Sequence, residues 1–441
     1  MRTIRTAQLL LLLSSTLLLI PAAFAVPSFA RQTGLQCGGC HTRFPELNAF
    51  GRQFKLNGYN LVGTRQIRAA DGQDKETLAI TELPPLSVMF QGAYTATAKS
   101  VPDTQNDDVQ FPQQMSVFLA GKIAPGFGSF MQFTYTQEDD KFGMDNVDLR
   151  YANSTQLAGK PLQYGVTLNN SPTVEDLWGS TPTWGFPWAA PDVSPGPAAA
   201  TLIDGGLAQD VAGLGGYALL DDSWYAAATL YRSAHLGSSA PGIGSENTIE
   251  GVAPYWRLAW QKGWGPNYLE IGTYGLHASL KPDGVSGPTD DYTDLAGDFQ
   301  YQRTIGDDLL TLHGTYIRED QDLDASFASD AAAGRSNDLD TLRFDASYHR
   351  GRWAGTLGLF STRGGRDSAL YAQEPVDGSV NGKPDSNGYI AQVAYYPWQN
   401  TEFLLQYTGY DKFNGRSNSY DGFGRDASDN NAIYVGAWLV W

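Results

Sequence analysis

The sequence predicts an all-β protein, a closed 16-stranded antiparallel β-barrel that follows a small helical N-terminal domain. From residue 86 onward, segments of roughly ten residues alternate apolar and polar side chains, so that one face suits lipid and the other suits water. Glycine supplies 49 of the 441 residues and aromatic residues supply 12%, whereas charged residues supply only 17%. This composition favours strands whose outer face does not contact water alone.

We count sixteen such segments, and the connections between them are alternately short and long. Their centres lie near residues 92, 118, 132, 148, 166, 213, 228, 257, 273, 298, 314, 344, 357, 392, 405 and 436. Short turns at one end and long loops at the other are typical of barrels that cross the bacterial outer membrane, with the short turns in the periplasm. A soluble β-sandwich or propeller is the alternative, but no repeat of fixed length is present.

The first 25 residues have the pattern of a secretory signal peptide. Arg2 and Arg5 precede an apolar stretch, and Ala23-Phe24-Ala25 is a small-x-small cleavage site. An uncleaved anchor helix is the less favoured alternative. We therefore expect residues 1–25 to be removed and the mature chain to begin at Val26, outside the cytoplasm. Cleavage removes two of the 30 basic residues and leaves 28 against 47 acidic ones, which argues against nucleic acid as a partner.

The two cysteines of the chain lie in one motif, Cys37-Gly38-Gly39-Cys40-His41. In an exported protein this spacing predicts the covalent attachment of one haem c, with thioether bonds to Cys37 and Cys40 and with His41 as the proximal iron ligand. A redox dithiol or a disulfide is the alternative, although neither requires a histidine at that position. A structural zinc site would need further cysteines.

A helix is predicted directly after this motif, with Pro45 in its first turn and Gly58 at its end. Apolar residues recur at spacings of three, three and four, namely Phe44, Leu47, Phe50 and Phe54. We expect residues 26–84 to form a monohaem cytochrome c domain that plugs the barrel of residues 85–441. About 59 residues are too few for an independent core, so the haem and a second protein surface must complete it.

The motif does not fix the second axial ligand of the haem iron. Residues 26–84 contain no methionine and no second histidine, which leaves a five-coordinate iron, Lys55 or Tyr59, or a ligand from the barrel. The alternation of the first strand directs Met89 into the lumen near the periplasmic end. We predict Met89 as the distal ligand, with His349 as the alternative, while His313 is expected deeper in the lumen. Met89 could instead only pack between the plug and the wall.

The longest predicted loop, residues 171–206, carries three of the eleven tryptophans, Trp178, Trp184 and Trp188. A loop of this length in a compact barrel usually serves a function, and it often folds into the lumen. Its Glu175 and Asp176 could meet a cation, or the loop could be a structural constriction alone.

Residues 26–34, the Cys37 to His41 motif and residues 44–59 resemble the N-terminus of the fused monohaem c-type cytochrome–porin family of the outer membrane. This family includes the ferrous iron oxidases of iron-oxidising bacteria. The run Ser-Pro-Thr-Val-Glu-Asp-Leu-Trp at 171–178 is also similar to a stretch of that family, and the sixteen-strand count fits its barrel.

The resemblance implies a haem plug inside an outer-membrane porin of a Gram-negative cell. It implies electron transfer from an extracellular donor, with Fe(II) as the first candidate, to a periplasmic cytochrome or cupredoxin, which is a ferrous iron:cytochrome c oxidoreductase type of activity. The competing hypothesis is a non-enzymatic diffusion porin for small solutes, in which the haem module is structural or sensory.

Overall fold

The computed structural model describes residues 27–61, 66–70, 76–81, 85–102, 104–136, 140–234, 248–282, 284 and 286–441, with the backbone alone at 66–70 and 76–81. The predicted signal peptide lies outside these residues, and so does the predicted domain boundary at 84. Among the described residues, no helix has the length and the apolar character of a membrane span.

Sixteen antiparallel strands close into a barrel, as the sequence predicts. A hairpin of β1 (Gln66–Ala70) and β2 (Glu76–Thr81) precedes them. The barrel strands are β3 (Leu86–Thr97), β4 (Asp108–Ala124), β5 (Phe127–Thr136), β6 (Lys141–Leu157), β7 (Lys160–Asn169), β8 (Val211–Leu220), β9 (Trp224–Ser233), β11 (Ala253–Trp264), β12 (Asn267–Lys281), β13 (Asp290–Ile305), β14 (Asp308–Asp322), β15 (Ser336–Arg350), β16 (Trp353–Gly364), β17 (Ser386–Trp398), β18 (Thr401–Lys412) and β19 (Ala432–Val440). A short strand, β10 (Thr248–Ile249), pairs with β12.

Each barrel strand pairs with its neighbour in the chain, and the last strand returns to the first. The register of β19 on β3 runs from Ala432 opposite Thr97 to Val440 opposite Met89, which closes the ring. All sixteen predicted segment centres lie within these strands. Closure leaves no edge strand, so every strand of the ring finds hydrogen-bond partners on both sides, as a bilayer requires.

The connections alternate in length, as predicted. Seven connections of two or three residues lie at one end, at 125–126, 158–159, 221–223, 265–266, 306–307, 351–352 and 399–400. The turn at 158–159 is not among those predicted from the sequence. Ala158 and Gly159 both have positive φ, 50° and 78°, which is the conformation of a two-residue hairpin turn. Alanine carries no turn signal, so the pattern alone did not reveal it.

The barrel wall has an apolar outer face and a polar inner face. On β15, the side chains of Leu342 and Phe344 are 53% and 37% exposed on the outside, whereas Asp345 and Ser347 are buried inside. A closed ring with such a surface is the architecture of an outer-membrane, porin-type barrel.

The N-terminal segment lies inside the lumen. It contains α1 (Pro27–Thr33), a single 3₁₀ turn (Cys37–Gly39) and α2 (Ala49–Leu56). The Ser28 amide donates to Ser87 Oγ of β3 at 2.8 Å, and Arg52 Nη1 of α2 donates to Gln300 Oε1 of β13 at 2.8 Å. The segment therefore contacts well-separated parts of the wall.

Helix α2 begins later than the sequence pattern predicts. Pro45 is not in its first turn, because residues 41 to 47 form a short bridged loop in which His41 pairs with Leu47. Asn48 is the N-cap, and its side chain accepts a hydrogen bond from the Gly51 amide at 2.9 Å. Gly58 follows the helix with a φ of 64°, in agreement with the prediction of its end.

Candidate functional site

A large cavity lies between the N-terminal segment and the long loop that follows β7. Its volume is about 1010 Å³ when the solvent space that opens onto it is included. Its walls are mostly apolar and aromatic, and they include Phe29, Leu47, Phe54, Phe130, Leu177 and Trp178.

The Cys37 to His41 motif forms part of the wall of this cavity. The amides of Cys40 and His41 donate to the Cys37 carbonyl at 3.0 and 2.9 Å, which closes a tight 3₁₀ turn. Cys40 and His41 both line the cavity, and Cys37 is buried one turn earlier. The motif is therefore folded so that its histidine and its second cysteine face the same space.

The His41 ring is held in the tautomer that a metal ligand needs. Its Nδ1 lies 3.2 Å from the Pro45 carbonyl oxygen, and because a carbonyl only accepts, Nδ1 carries the proton. Nε2 is then unprotonated. Burial lowers the pKa of His41 to about 4, against the opposing effect of its hydrogen bonds to the backbone of Pro45 and Glu46. A neutral imidazole oriented through Nδ1 is the usual form of a metal-binding histidine.

Helix α2 packs directly on the motif, and glycine makes this possible. A Cβ built on Gly51 would overlap the Cys40 carbonyl oxygen. Nδ2 of the Asn48 side chain also donates to the carbonyls of Gly38 and Gly39 at 3.2 and 3.1 Å. The helix thereby fixes the orientation of the cysteine turn relative to the cavity.

The long loop, with α3 (Pro172–Glu175) at its start, lies in the lumen as predicted. The Glu175 carboxylate accepts from the Thr229 hydroxyl at 2.9 and 2.7 Å and from the Tyr231 hydroxyl at 3.0 Å. Burial raises the pKa of Glu175. The Asp176 carboxylate accepts from the amides of Trp178 and Thr181 at 3.0 and 3.1 Å.

Both carboxylates of the loop therefore already have protein donors. This favours a structural role for Glu175 and Asp176 over the binding of a cation. Their contacts bring Trp178 against the cavity, where its indole nitrogen donates to Tyr268 Oη at 2.8 Å.

Two of the distal ligands considered from the sequence are engaged elsewhere. Lys55 Nζ donates to the Val174 carbonyl, and it lies 3.2 Å from the Asp176 carbonyl. The Tyr59 hydroxyl donates to Asp148 Oδ2 at 2.5 Å. Both side chains line the cavity, but their polar atoms bind the loop and the wall.

Met89 points inward and is 1% exposed, as its strand phase predicts. It packs with Phe118 and Trp438, and its sulfur accepts from Nε2 of the Gln91 side chain at 3.6 Å. It is not among the residues that line the cavity, and iron ligation by Met89 stays a prediction. His349 is half-buried, and its ring packs on Tyr396 with centroids 5.5 Å apart, also away from the cavity wall.

Among the described residues of the barrel, His313 is the histidine that lines the cavity. Strand alternation predicts His313 in the lumen but indicates no role for it. Its inward phase on β14 was visible in the alternation of that strand, but its position opposite the N-terminal segment depends on the register of three strands and could not be derived from the pattern.

No family model matches the chain, and no curated protein matches it. Several solved outer-membrane proteins are similar in structure. In-vitro folded OmpT of Vibrio cholerae is 13% identical with a TM-score of 0.42, over 81% of this chain and 96% of that chain. OmpF of Salmonella typhi, in complex with daunomycin, is 13% identical with a TM-score of 0.43, and the match covers 81% of this chain and 97% of that chain. The channel DcaP of Acinetobacter baumannii is 10% identical with a TM-score of 0.47, over 81% and 96%. The barrel assignment rests on the strand pairing described above.

Proposed function

We propose that the chain is an outer-membrane cytochrome–porin with a single covalent haem c. In this proposal, electrons pass from an extracellular donor, Fe(II), through the haem to a periplasmic cytochrome or cupredoxin. The activity is of the ferrous iron:cytochrome c oxidoreductase type. The observation that carries the proposal is the juxtaposition, inside a closed barrel, of the Cys37 to His41 motif and a large apolar cavity.

The residues present fit a haem. Cys40 and His41 line one cavity, Cys37 lies one turn away, and aromatic side chains such as Phe54 and Trp178 supply the apolar surface that a porphyrin needs. The bound haem supplies one-electron Fe(III)/Fe(II) chemistry. Cys37 and Cys40 would hold it covalently, and His41, whose ring is oriented by the Pro45 carbonyl, would bind the iron through Nε2.

The position of the motif supports delivery to the periplasm. The Cys37 amide donates to Gln399 Oε1 at 3.3 Å, and Gln399 lies in the short turn 399–400. At the same end, the Lys122 amide donates to Gln32 Oε1 at 2.9 Å. Short turns of outer-membrane barrels face the periplasm, so a soluble carrier on that side would approach the motif closely.

The height of the barrel supports a haem inside the lumen. The lipid-facing band of such barrels is about 25 Å tall, well beyond the width of one haem. A haem held outside the barrel in the periplasm would lie a full membrane away from an extracellular donor. A haem in the lumen shortens the path from both sides. The formal charge of −17 also favours the accumulation of cations such as Fe(II) near the surface.

The contents of the lumen argue against free diffusion of solutes. The N-terminal segment contacts the wall at β3 and β13, and the long loop enters from the opposite end, where Trp178 is 2% exposed. Arg43 of the segment also lies over the Trp188 ring of the loop, 4.5 Å from its centroid. These contacts join the two obstructions to each other. A diffusion porin with a structural or sensory haem would need an open path beside them.

Stopped-flow mixing of the purified holo-protein with Fe(II) tests the proposal. We expect the haem absorption to convert from the ferric to the ferrous form, and reoxidation when a soluble ferric cytochrome c is added. The variant with Cys37 and Cys40 replaced by serine should lack covalent haem and show neither change. A holo-protein whose haem stays ferric in excess Fe(II) would refute the proposed donor.

A further inference from the structure

We infer that Nε2 of His313, on barrel strand β14, supplies the distal axial ligand to the haem iron that His41 binds on the proximal side. The inference rests on the proposed function, because it requires the haem. The barrel wall would then bind the iron of the haem that the N-terminal segment carries. The ligand would be His313 and not Met89.

The first observation is an unpartnered nitrogen. His313 is 6% exposed and lines the cavity, and within the described residues its Nε2 has no hydrogen-bond partner. A buried polar atom without a partner is unfavourable, so its presence at the cavity needs an explanation. A metal ion in the cavity would supply the missing partner.

The second observation concerns the other ring nitrogen. His313 stands directly opposite Asp345 in the pairing of β14 with β15, and Nδ1 lies 3.7 Å from Asp345 Oδ2. In most metal-binding histidines, the ring nitrogen that does not bind the metal faces a carboxylate or a carbonyl, which fixes the tautomer and the ring orientation. The Asp345 carboxyl group lies on the Nδ1 side of the His313 ring, although 3.7 Å is longer than a hydrogen bond.

The third observation links the two histidines through a short chain of contacts. His313 is also paired across the sheet with Gln300 of β13. Gln300 Nε2 donates to Glu46 Oε1 at 3.1 Å, and Glu46 follows Pro45, the residue that binds His41. The wall at His313 is therefore fastened to the loop that orients His41, on the boundary of one cavity.

The other candidates have less suitable positions. Lys55 and Tyr59 line the cavity, but each already donates to oxygen atoms. Met89 and His349 pack outside the cavity lining. His313 thus combines access to the cavity, an unpartnered Nε2 and a nearby carboxyl group, whereas His349, whose Nε2 is also unpartnered among the described residues, lies outside the lining.

Two histidine ligands have a functional consequence. A six-coordinate iron leaves no open position for oxygen, which favours electron transfer over ligand binding, and two histidines set a lower potential than histidine with methionine. The coordination also fixes the N-terminal segment in the lumen, since His41 belongs to that segment and His313 belongs to the barrel.

Absorption and electron paramagnetic resonance spectra of the ferric holo-protein test the inference. We expect a low-spin wild type without a sulfur-to-iron charge-transfer band. His313→Ala should become high-spin, and added imidazole should restore the low-spin spectrum. His313→Met should stay low-spin, gain the charge-transfer band and show a raised potential. Met89→Leu and His349→Gln should keep the wild-type spectrum.

A low-spin spectrum retained in His313→Ala without imidazole would overturn the inference, as would a high-spin spectrum of Met89→Leu or of the wild type. Heat-modified mobility in gels shows whether each barrel has folded, and if His313→Ala does not fold, the spectrum of His313→Met decides. A wild type without covalent haem would instead refute the proposed function, so the two failures are distinguishable.

Discussion

The phenol of Tyr59 donates a hydrogen bond of 2.5 Å to the carboxylate of Asp148, and this contact joins the end of the N-terminal segment to the inner wall of the barrel. Both side chains are buried. The same carboxylate accepts from Arg150 Nε at 2.7 Å and from Thr167 Oγ1 at 2.9 Å. The wall thus keeps the acceptor in place for Tyr59.

Replacement Tyr59→Phe should loosen the N-terminal segment without affecting the barrel. A buried hydrogen bond to a charged group contributes about 1.5–3 kcal/mol, which corresponds to a roughly 10- to 150-fold loss of protection against hydrogen exchange. We expect this loss in the amides of α2. Tyr301→Phe, which removes a hydroxyl bonded to Asn267 within the wall, should leave α2 protected. Equal protection in both variants would contradict the account.

Replacement Gly51→Ala should reduce haem attachment, whereas Gly38→Ala should not. A methyl group on Gly51 would overlap the Cys40 carbonyl, and such overpacking costs about 1–3 kcal/mol. A Cβ on Gly38 meets no heavy atom within 4 Å. The measurement is the haem content per folded barrel after haem staining and protein quantification. Normal haem content in Gly51→Ala would show that the close packing of α2 does not matter for attachment.

Replacement Glu175→Ala should open the lumen to small solutes. It leaves the Thr229 hydroxyl without its acceptor inside the lumen, at a cost of about 1–3 kcal/mol. It also removes one of the two acceptors of the Tyr231 hydroxyl, which keeps Asn169 Oδ1 at 2.8 Å. The loop should then loosen, and liposome swelling in small sugars should become faster. The control is Glu374→Ala at an exposed loop position. If liposomes with Glu175→Ala swell no faster than liposomes with the control variant, the loop does not close the lumen.

Lys55 should make the haem potential depend on pH. Burial, together with Arg150, lowers the pKa of Lys55 to about 8, against the opposing charges of Asp148, Asp176 and Glu175. The amine is therefore charged below this pH and neutral above it. A nearby positive charge disfavours the ferric state, so the potential should fall as the pH rises through about 8.

Redox titration of the holo-protein at several pH values checks this expectation. Lys55→Met should lose the step near pH 8 and have a lower potential on the acid side. Lys55→Arg should keep a charge at every accessible pH and show a potential without the step. If the change of the potential near pH 8 persists in both variants, another group causes it and not Lys55.

Much of the barrel follows from the sequence, because strand alternation and turn residues are local signals. The inward phase of Met89 and the outward phase of Leu342 are both confirmed. The start of α2 was predicted wrongly, since the loop around Pro45 is shaped by tertiary contacts, including the pairing of His41 with Leu47. Periodicity alone does not contain such contacts.

The candidate site was predictable only in part. The cysteine motif is contiguous in the chain, so Cys37, Cys40 and His41 could be named from the sequence. The role inferred for His313 depends on the pairing with Asp345 and on the folded position of the loop at 171–206, which brings Trp178 to the same cavity. Residues that are distant in the chain meet there through strand register and loop packing, which one sequence does not specify.

Electron transfer across a membrane that remains closed to solutes tests the central claim most directly. Liposomes carrying the holo-protein, with ferric cytochrome c and a small dye inside, are supplied with Fe(II) outside. The account predicts reduction of the enclosed cytochrome without release of the dye, and no reduction with the variant whose Cys37 and Cys40 are serine. Release of the dye without reduction of the cytochrome, or reduction that persists in the variant without haem, would contradict it.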